Sequence, residues 1–184
     1  EESATRSLSF SDIFKHHRTH GYAAYIACDR GEALAEARVL QTAMSKRCHQ
    51  AVMIGDELAS YDRIVQAAAT GQTISDVGAL EQANGLVLLL TKSTLHRPEC
   101  LIAAVKAINA GKPIVTVLLQ GRGYDFAAGQ ALLRDLSGGL APEEVRALTA
   151  GLVAARPGED AASLLDAAQA RLCETIPNVI AVHW

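Results

Sequence analysis

The segment "STLHRPECLIAAVKAINAGKPIVTVLL", Ser93 to Leu119, decides the fold of this 184-residue chain. Pro98 marks the start of a helix, because its ring fixes the backbone angle that the first helical turn requires. Gly111 suits the left-handed position just after a helix, so the spacing predicts a helix over residues 97–110. The apolar run "PIVTVLL" that follows is typical of a strand buried on both faces.

Strands and helices alternate along the rest of the chain. Strands are predicted at 21–28, in "QAVMIGDE", at 85–91, in "PIVTVLL" and in "IPNVIAVHW". Helices are predicted at about 32–46, from Ser75, at 97–110 and 127–136, from Pro142 and at 160–175, with a long, partly helical loop at 57–74. This alternation predicts one doubly wound α/β domain over residues 21–184, with a parallel sheet of four or five strands and helices on both faces. Residues 1–20 are predicted to form a linker or a short docking helix.

The amino-acid composition and net charge indicate which kind of core, partner and compartment to expect. The apolar fraction is 49% with only 4% aromatic residues, which favours a core of Ala, Val, Leu and Ile around parallel strands. The net charge of -3, without a basic run, gives no reason to expect nucleic acid or an anionic membrane as partner. The cysteines are scattered without a CxxC pair, which favours a reducing, cytoplasmic setting over a disulfide framework or a zinc site.

Ligands of doubly wound sheets bind outside the carboxyl ends of the strands. Those ends are predicted at 28–30, 55–56, 91–93 and 120–124. The glycine patterns of P-loop and dinucleotide-binding proteins are absent, and so is the nucleophile elbow of serine hydrolases. The histidines of "FKHHRTH" lack nearby cysteines or paired carboxylates, so we predict no metal site.

The longer segment "ANGLVLLLTKSTLHRPECLIAAVKAINAGKPIVTVLL" resembles the third strand, third helix and fourth strand of a TIR domain, the module named after Toll and interleukin receptors. The resemblance extends to "YAAYIACDRGEALAEARVLQTAM", "AVMIGDE" and "TGQTISDVGALEQA", and covers roughly residues 21–120. Its most specific parts are the "GKPIVTV" block and the position of Cys100. It implies a flavodoxin-like fold and, in one branch of the family, cleavage of NAD+ to nicotinamide and ADP-ribose or a cyclised form.

Two positions depart from the pattern of that branch. Glu99 stands where the family has Trp, and Ala103 stands where NAD-cleaving members have Glu. The resemblance assigns this Glu to the nicotinamide-side ribose, where its charge stabilises the cation that forms as the glycosidic bond breaks. A methyl group does neither, so we expect little activity from this chain.

Four explanations of Ala103 stay open. It is a laboratory substitution that removes activity, or a natural loss in a signalling or scaffold protein. Alternatively, Glu99, one turn earlier, supplies the carboxylate, or Ala103 is an ordinary helix residue. We favour the first, because the surrounding loop and helix keep their register. Glu99 also has a structural interpretation, since a helix dipole favours a carboxylate in the first turn.

The resemblance also implies candidate binding residues for NAD+, which we expect as a substrate and not as a tightly bound cofactor. Arg30 is a candidate pyrophosphate contact, because the family often has a basic residue just after the first strand. Asp29, Asp56 and Ser93 follow strands, and Tyr61 is a candidate for stacking on adenine or nicotinamide. Each also has a structural interpretation, as a solvated arginine, a cap or an internal loop anchor.

The function expected from the resemblance is an NAD+ hydrolase of immune or cell-death signalling that self-associates with other TIR domains in the cytoplasm. A non-enzymatic TIR adaptor that acts through self-assembly is the alternative. A third hypothesis is a nucleotide-sensing flavodoxin-like domain unrelated to TIR domains.

Overall fold

The computed structural model describes residues 21–55, 77–179 and 181–184. Its centre is a five-stranded parallel sheet with the order β2-β1-β3-β4-β5, which is the flavodoxin-like order of doubly wound folds. The strands are β1 (Ala24–Ala27), β2 (Val52–Ile54), β3 (Leu86–Leu90), β4 (Ile114–Leu118) and β5 (Ala181–His183). The predicted parallel α/β sheet is therefore confirmed, with five strands.

Helices connect these strands. Helix α1 (Arg30–Cys48) follows β1, and α2 (Val77–Gln82) precedes β3. A 3-10 turn (Thr94–His96) and α3 (Pro98–Asn109) lead from β3 to β4. The connection from β4 to β5 contains α4 (Phe126–Arg134), α5 (Leu136–Gly139), α6 (Pro142–Ala155), α7 (Ala161–Thr175) and a second 3-10 turn (Ile176–Asn178). Within the described ranges, no helix combines the length and apolar character needed to cross a membrane.

Some boundaries differ from the sequence-based prediction. The first helix begins at Arg30 and not near residue 32, because the side chain of Asp29 caps it. The helix predicted at 127–136 is divided where Asp135 ends α4 and accepts a hydrogen bond from the backbone N–H of Gly138 in α5. The predictions for residues 1–20, Asp56, Tyr61 and the loop at 57–74 lie outside the described residues.

The core has two parts, one on each face of the sheet. Every residue of β3 is buried, and alternate side chains of a strand point to opposite faces. On one face Val87 and Leu89 belong to the cluster that contains the buried side of α1; the α1 members are Ala33, Ala37, Leu40 and Met44. On the other face Leu88 belongs to a cluster with α3, α4, α6 and α7. Helices thus cover both faces, as predicted.

The two ends of α3 match the sequence prediction. Pro98 is the first helical residue. Gly111 adopts a φ of 62°, and its N–H donates to the carbonyl of Ile108 at 3.0 Å. The N–H of Lys112 donates to the carbonyl of Ala107 at 2.9 Å, which completes a Schellman motif. Because α3 starts after β3, its first turn lies at the carboxyl edge of the sheet.

Candidate functional site

The candidate site lies where β1 and β3 are neighbours in the sheet, although β2 comes between them in sequence. The chain leaves β1 for α1 on one face of the sheet and leaves β3 for α3 on the other. In open α/β sheets such a switch point opens a crevice outside the carboxyl ends of the strands. The predicted site residues at 28–30 and 91–93 border this crevice.

Asp29 links the two sides of the crevice. It is only 1% exposed, and its Oδ1 accepts a hydrogen bond from the backbone N–H of Gly31 at 2.8 Å. Its Oδ2 accepts from Nε of Arg97 at 2.6 Å. One buried carboxylate therefore caps α1 and forms an ion pair with the residue that precedes α3. A buried carboxylate requires such partners, since an unpaired buried charge is strongly destabilising.

Arg97 presents a cation in a fixed place. The hydrogen bond to Asp29 raises the pKa of Arg97, partial burial opposes this, and the side chain is 47% exposed. Its terminal nitrogens are suited to a phosphate, because a planar guanidinium can bind two oxygens of one anion. The sequence analysis did not single out Arg97; its place directly before Pro98, at the helix cap, was the available signal.

Glu32 ties α1 to the loop after β3. Its Oε1 accepts from the Ser93 hydroxyl at 2.9 Å and its Oε2 from the Ser93 N–H at 3.1 Å. Hydrogen bonds from Thr91 and Ser93 lower the pKa of Glu32. Glu32 was also missed from sequence, although the spacing Asp29-x-x-Glu32 matches that of a capping box and would have placed the helix start at residue 30.

Buried threonines hold the loop that carries Ser93. The hydroxyl of Thr94 donates to the carbonyl of Leu89 at 2.7 Å and accepts from the N–H of Thr91 at 3.0 Å. Thr91 and Thr94 are both fully buried. The position of Ser93 relative to β3 is therefore fixed by hydrogen bonds within the loop.

Arg30 and Arg122 connect the neighbouring strand ends to α1. Nη1 of Arg30 donates to the carbonyl of Gly55 at 2.8 Å, which joins the first residue of α1 to the end of β2. Arg30 is thus a helix residue with a structural bond, and its contact with pyrophosphate stays a prediction. Arg122, after β4, forms an ion pair with Glu36 of α1.

Glu99 and Ala103 occupy successive turns of α3. The carboxyl group of Glu99 is accessible to solvent, yet the protein around it removes enough hydration to raise its pKa, while Arg97 acts to lower it. In the described part of the chain, no ion pair or hydrogen bond joins this carboxylate to another side chain. Ala103 is 5% exposed and belongs to the core cluster. A longer side chain at position 103 must therefore displace its neighbours or extend toward the crevice.

The cysteines near the crevice, Cys28 and Cys100, are buried. Burial raises the pKa of Cys28 to about 11 and that of Cys100 well above its ordinary value. Both thiols are therefore protonated at neutral pH and are poor nucleophiles. Across the residues that the structure describes, no group of His, Cys, Asp and Glu side chains is arranged to hold a metal ion.

The carboxyl edge thus brings together Asp29, Arg30, Ser93 and Glu99 from the sequence prediction, and adds Arg97 and Glu32. Hydrogen bonds to neighbouring groups hold the carboxylates of Asp29 and Glu32 in place. An anchored, partly exposed arginine beside fixed hydrogen-bonding groups is better suited to bind an anionic ligand.

Comparisons with known proteins give a likeness to solved structures. No protein family matches the chain, and no curated protein matches it. Among solved structures, it is similar to a chain described as "Structure of the activated Roq1 resistosome directly recognizing the pathogen effector XopQ (TIR domains)", with a TM-score of 0.49 and 15% sequence identity. The superposition covers 89% of this chain and 87% of that one. The matched region thus spans most of both chains, whereas their sequences differ at most positions.

The ion pair of Asp29 with Arg97 yields a first prediction. Asp29→Ala should lower the free energy of unfolding by about 3 kcal/mol, since it removes both the α1 cap and a charged hydrogen bond. Arg97→Ala should lower it by about 2 kcal/mol, because it leaves a buried carboxylate unpaired and the half-exposed guanidinium limits the loss. Urea unfolding of both variants and the double variant should show a coupling of about 1.5 kcal/mol.

Arg122→Ala is the matched control for that cycle, because its pair with Glu36 is more exposed to solvent. Its effect should stay below about 1 kcal/mol. Additive effects of Asp29→Ala and Arg97→Ala would contradict the proposed linkage.

Glu32 yields a prediction about pH. Its pKa in the folded protein is lowered from the ordinary 4.5, so its ionised form adds stability above that pH. This stability is lost as the pH falls through the folded pKa. Glu32→Gln should therefore be less stable than the parent chain at pH 7, by about 1 kcal/mol, and the difference should shrink below about pH 4.5.

Urea unfolding between pH 3 and pH 7 measures this difference. Glu143→Gln, at an exposed position in the first turn of α6, serves as the control for a general loss of negative charge. A Glu32→Gln difference that stays constant with pH would show that the hydrogen bonds with Thr91 and Ser93 do not depend on the charge.

Proposed function

We propose that this chain is a TIR-like domain with a nucleotide site of the NAD-cleaving type, whose carboxylate position holds Ala103. The observation that supports this most strongly is the meeting of Asp29, Arg30, Ser93 and Glu99 at the β1/β3 switch point. All four are candidate site residues in the sequence analysis. They lie beside the first turn of α3, the helix that carries the sequence resemblance.

Each residue has a proposed role toward NAD+. Arg97, anchored by Asp29, binds a pyrophosphate oxygen, and Arg30 contributes positive charge nearby. The hydroxyl of Ser93 and the carboxylate of Glu99 face the polar part of the nucleotide. Within the described residues, no other side chain holds the carboxylate of Glu99. Asp56 and Tyr61 keep their sequence-based roles as a polar contact and a stacking ring.

In this proposal, Ala103 accounts for the loss of NAD+ cleavage. Hydrolysis of NAD+ breaks the bond between the ribose and nicotinamide, water adds to the ribose carbon, and a proton is released. The ribose carries positive charge while that bond breaks, and a nearby carboxylate stabilises it. A methyl group at position 103 offers no charge, so the chain as it stands binds NAD+ and turns it over slowly or not at all.

A non-enzymatic adaptor is the second candidate, and one observation favours it. Two acids of the crevice are already paired, Asp29 with Arg97 and Glu32 with Ser93, and Ala103 packs in the core. In that case the surface of the domain and its self-association carry the signalling role. Cytoplasmic location and association with other TIR domains are part of both candidates.

Turnover of NAD+ by Ala103→Glu, beside the parent chain, tests the proposal. Nicotinamide release is measured at high protein concentration, so that assembly does not limit the rate. Only Ala103→Glu should release nicotinamide at least a hundredfold faster than the parent, because a single charge stabilising the transition state contributes about 3 kcal/mol.

Ala103→Gln is the matched control, since it adds the same volume without the charge. Circular dichroism and thermal unfolding establish that both variants fold, which matters at a site only 5% exposed. A folded Ala103→Glu that releases no nicotinamide would contradict the enzyme proposal. Concentration-dependent sedimentation of the parent chain would then test the adaptor.

A further inference from the structure

A cavity of about 150 Å³ lies between the sheet and α4, on the face opposite α1. Its inner walls are formed by buried apolar side chains from three elements: Leu90 at the end of β3, Leu133 of α4 and Ile176 of the second 3-10 turn. None of the described side chains that line it is charged. A cavity of this size in an apolar core is large enough for one benzene ring.

Thr116 is the buried polar residue of this wall. It lies in the middle of β4, is 1% exposed, and pairs with Leu88 on one side and Ala181 on the other. Its hydroxyl oxygen has no hydrogen-bond partner in the described part of the chain. Buried hydroxyls are nearly always hydrogen-bonded, because an unpaired one has lost its water without replacement. Valine has almost the same shape, so packing alone does not require threonine here.

Aromatic and amide side chains form the rim of the cavity. The rings of Tyr124 and Phe126 meet edge to face, with centroids 5.0 Å apart, and Phe126 is 56% exposed. Gly129 allows the tyrosine to lie against α4, since a Cβ at that position would be 2.6 Å from the Tyr124 hydroxyl. Burial raises the pKa of Tyr124, so its hydroxyl stays neutral. The exposed amide of Gln130 completes this rim.

We propose that this cavity binds a small, mostly apolar molecule, about the size of one six-membered ring, that carries a single hydroxyl or carbonyl group for Thr116. The apolar walls favour the ring, and the absence of a charged lining residue disfavours an ionic ligand. The hydroxyl oxygen of Thr116, which is shielded from solvent and has no partner among the described residues, supplies the specific contact when the ligand moves the wall side chains aside. The cavity shares no residue with the crevice at the carboxyl edge, so this proposal does not depend on the proposed function.

Phenol and toluene are suitable probes, because they have nearly the same size and differ by one hydroxyl. Binding is followed in methyl NMR spectra at Leu90, Leu133 and Val179, which line the cavity. Phenol should cause saturable shifts at these methyl groups and bind more tightly than toluene. Thr116→Val should weaken phenol about fivefold to tenfold, the value of one hydrogen bond, and leave toluene unchanged.

Two further variants are controls for the loss of the Thr116 hydroxyl. Thr116→Ser retains the hydroxyl and should retain the preference for phenol. Thr42→Val, at an exposed position of α1, should change neither affinity. The thermal midpoint of Thr116→Val should be unchanged or higher, because an unpaired hydroxyl has been removed.

Several results would overturn the proposal. One is the lack of saturable shifts at these methyl groups with either probe. Another is an equal loss of phenol and toluene binding in Thr116→Val. A third is a lower thermal midpoint for Thr116→Val than for Thr116→Ser with phenol affinity unchanged, which would identify a structural water as the partner of Thr116.

Discussion

A single buried carboxylate, Asp29, constrains the carboxyl edge of the sheet. It follows β1, caps α1 and pairs with Arg97, so two helices on opposite faces share one acid. In a core built mostly from small aliphatic side chains, this charge is the interaction that is most costly to leave incomplete. The bonds of Glu32 with Ser93 and of Arg30 with Gly55 extend the same linkage across three strand ends. The edge is therefore pre-organised before any ligand binds.

Pre-organisation favours binding of an anion at this edge. A fixed guanidinium binds an anion with little loss of side-chain entropy. Glu99 is the acid of this edge that keeps access to solvent and a raised pKa. In the proposed function, Ala103 one turn beyond Glu99 leaves a binding site without the charge that would stabilise glycosidic cleavage.

Local patterns were sufficient to predict much of the fold. The buried run of β3, Pro98 at the start of α3 and Gly111 after its end are each dictated by neighbours a few residues away. Alternation of strands and helices then predicted a parallel sheet, because parallel strands require crossover connections. The start of α1 at Arg30 could also have been predicted, from the spacing of Asp29 and Glu32.

The geometry of the site was harder to predict, because its hydrogen bonds and its ion pair join residues that are far apart in the sequence. Asp29 and Arg97 are 68 positions apart, and neither residue alone indicates that it is half of an ion pair. Glu32 and Ser93 are 61 positions apart. The cavity beside Thr116 depends on how α4 and a 3-10 turn pack against the sheet, which no periodicity encodes. A threonine in a buried strand is ordinary in sequence and becomes informative only when its hydroxyl lacks a partner.

The most direct measurement is an NMR titration of the parent chain with NAD+, followed at the backbone amides. Saturable shifts centred on Gly31, Ser93 and Arg97, without nicotinamide release, are the expected result for a pre-organised nucleotide site that lacks its catalytic carboxylate. The absence of saturable shifts, or shifts confined to other parts of the sheet, would contradict a nucleotide site at this edge.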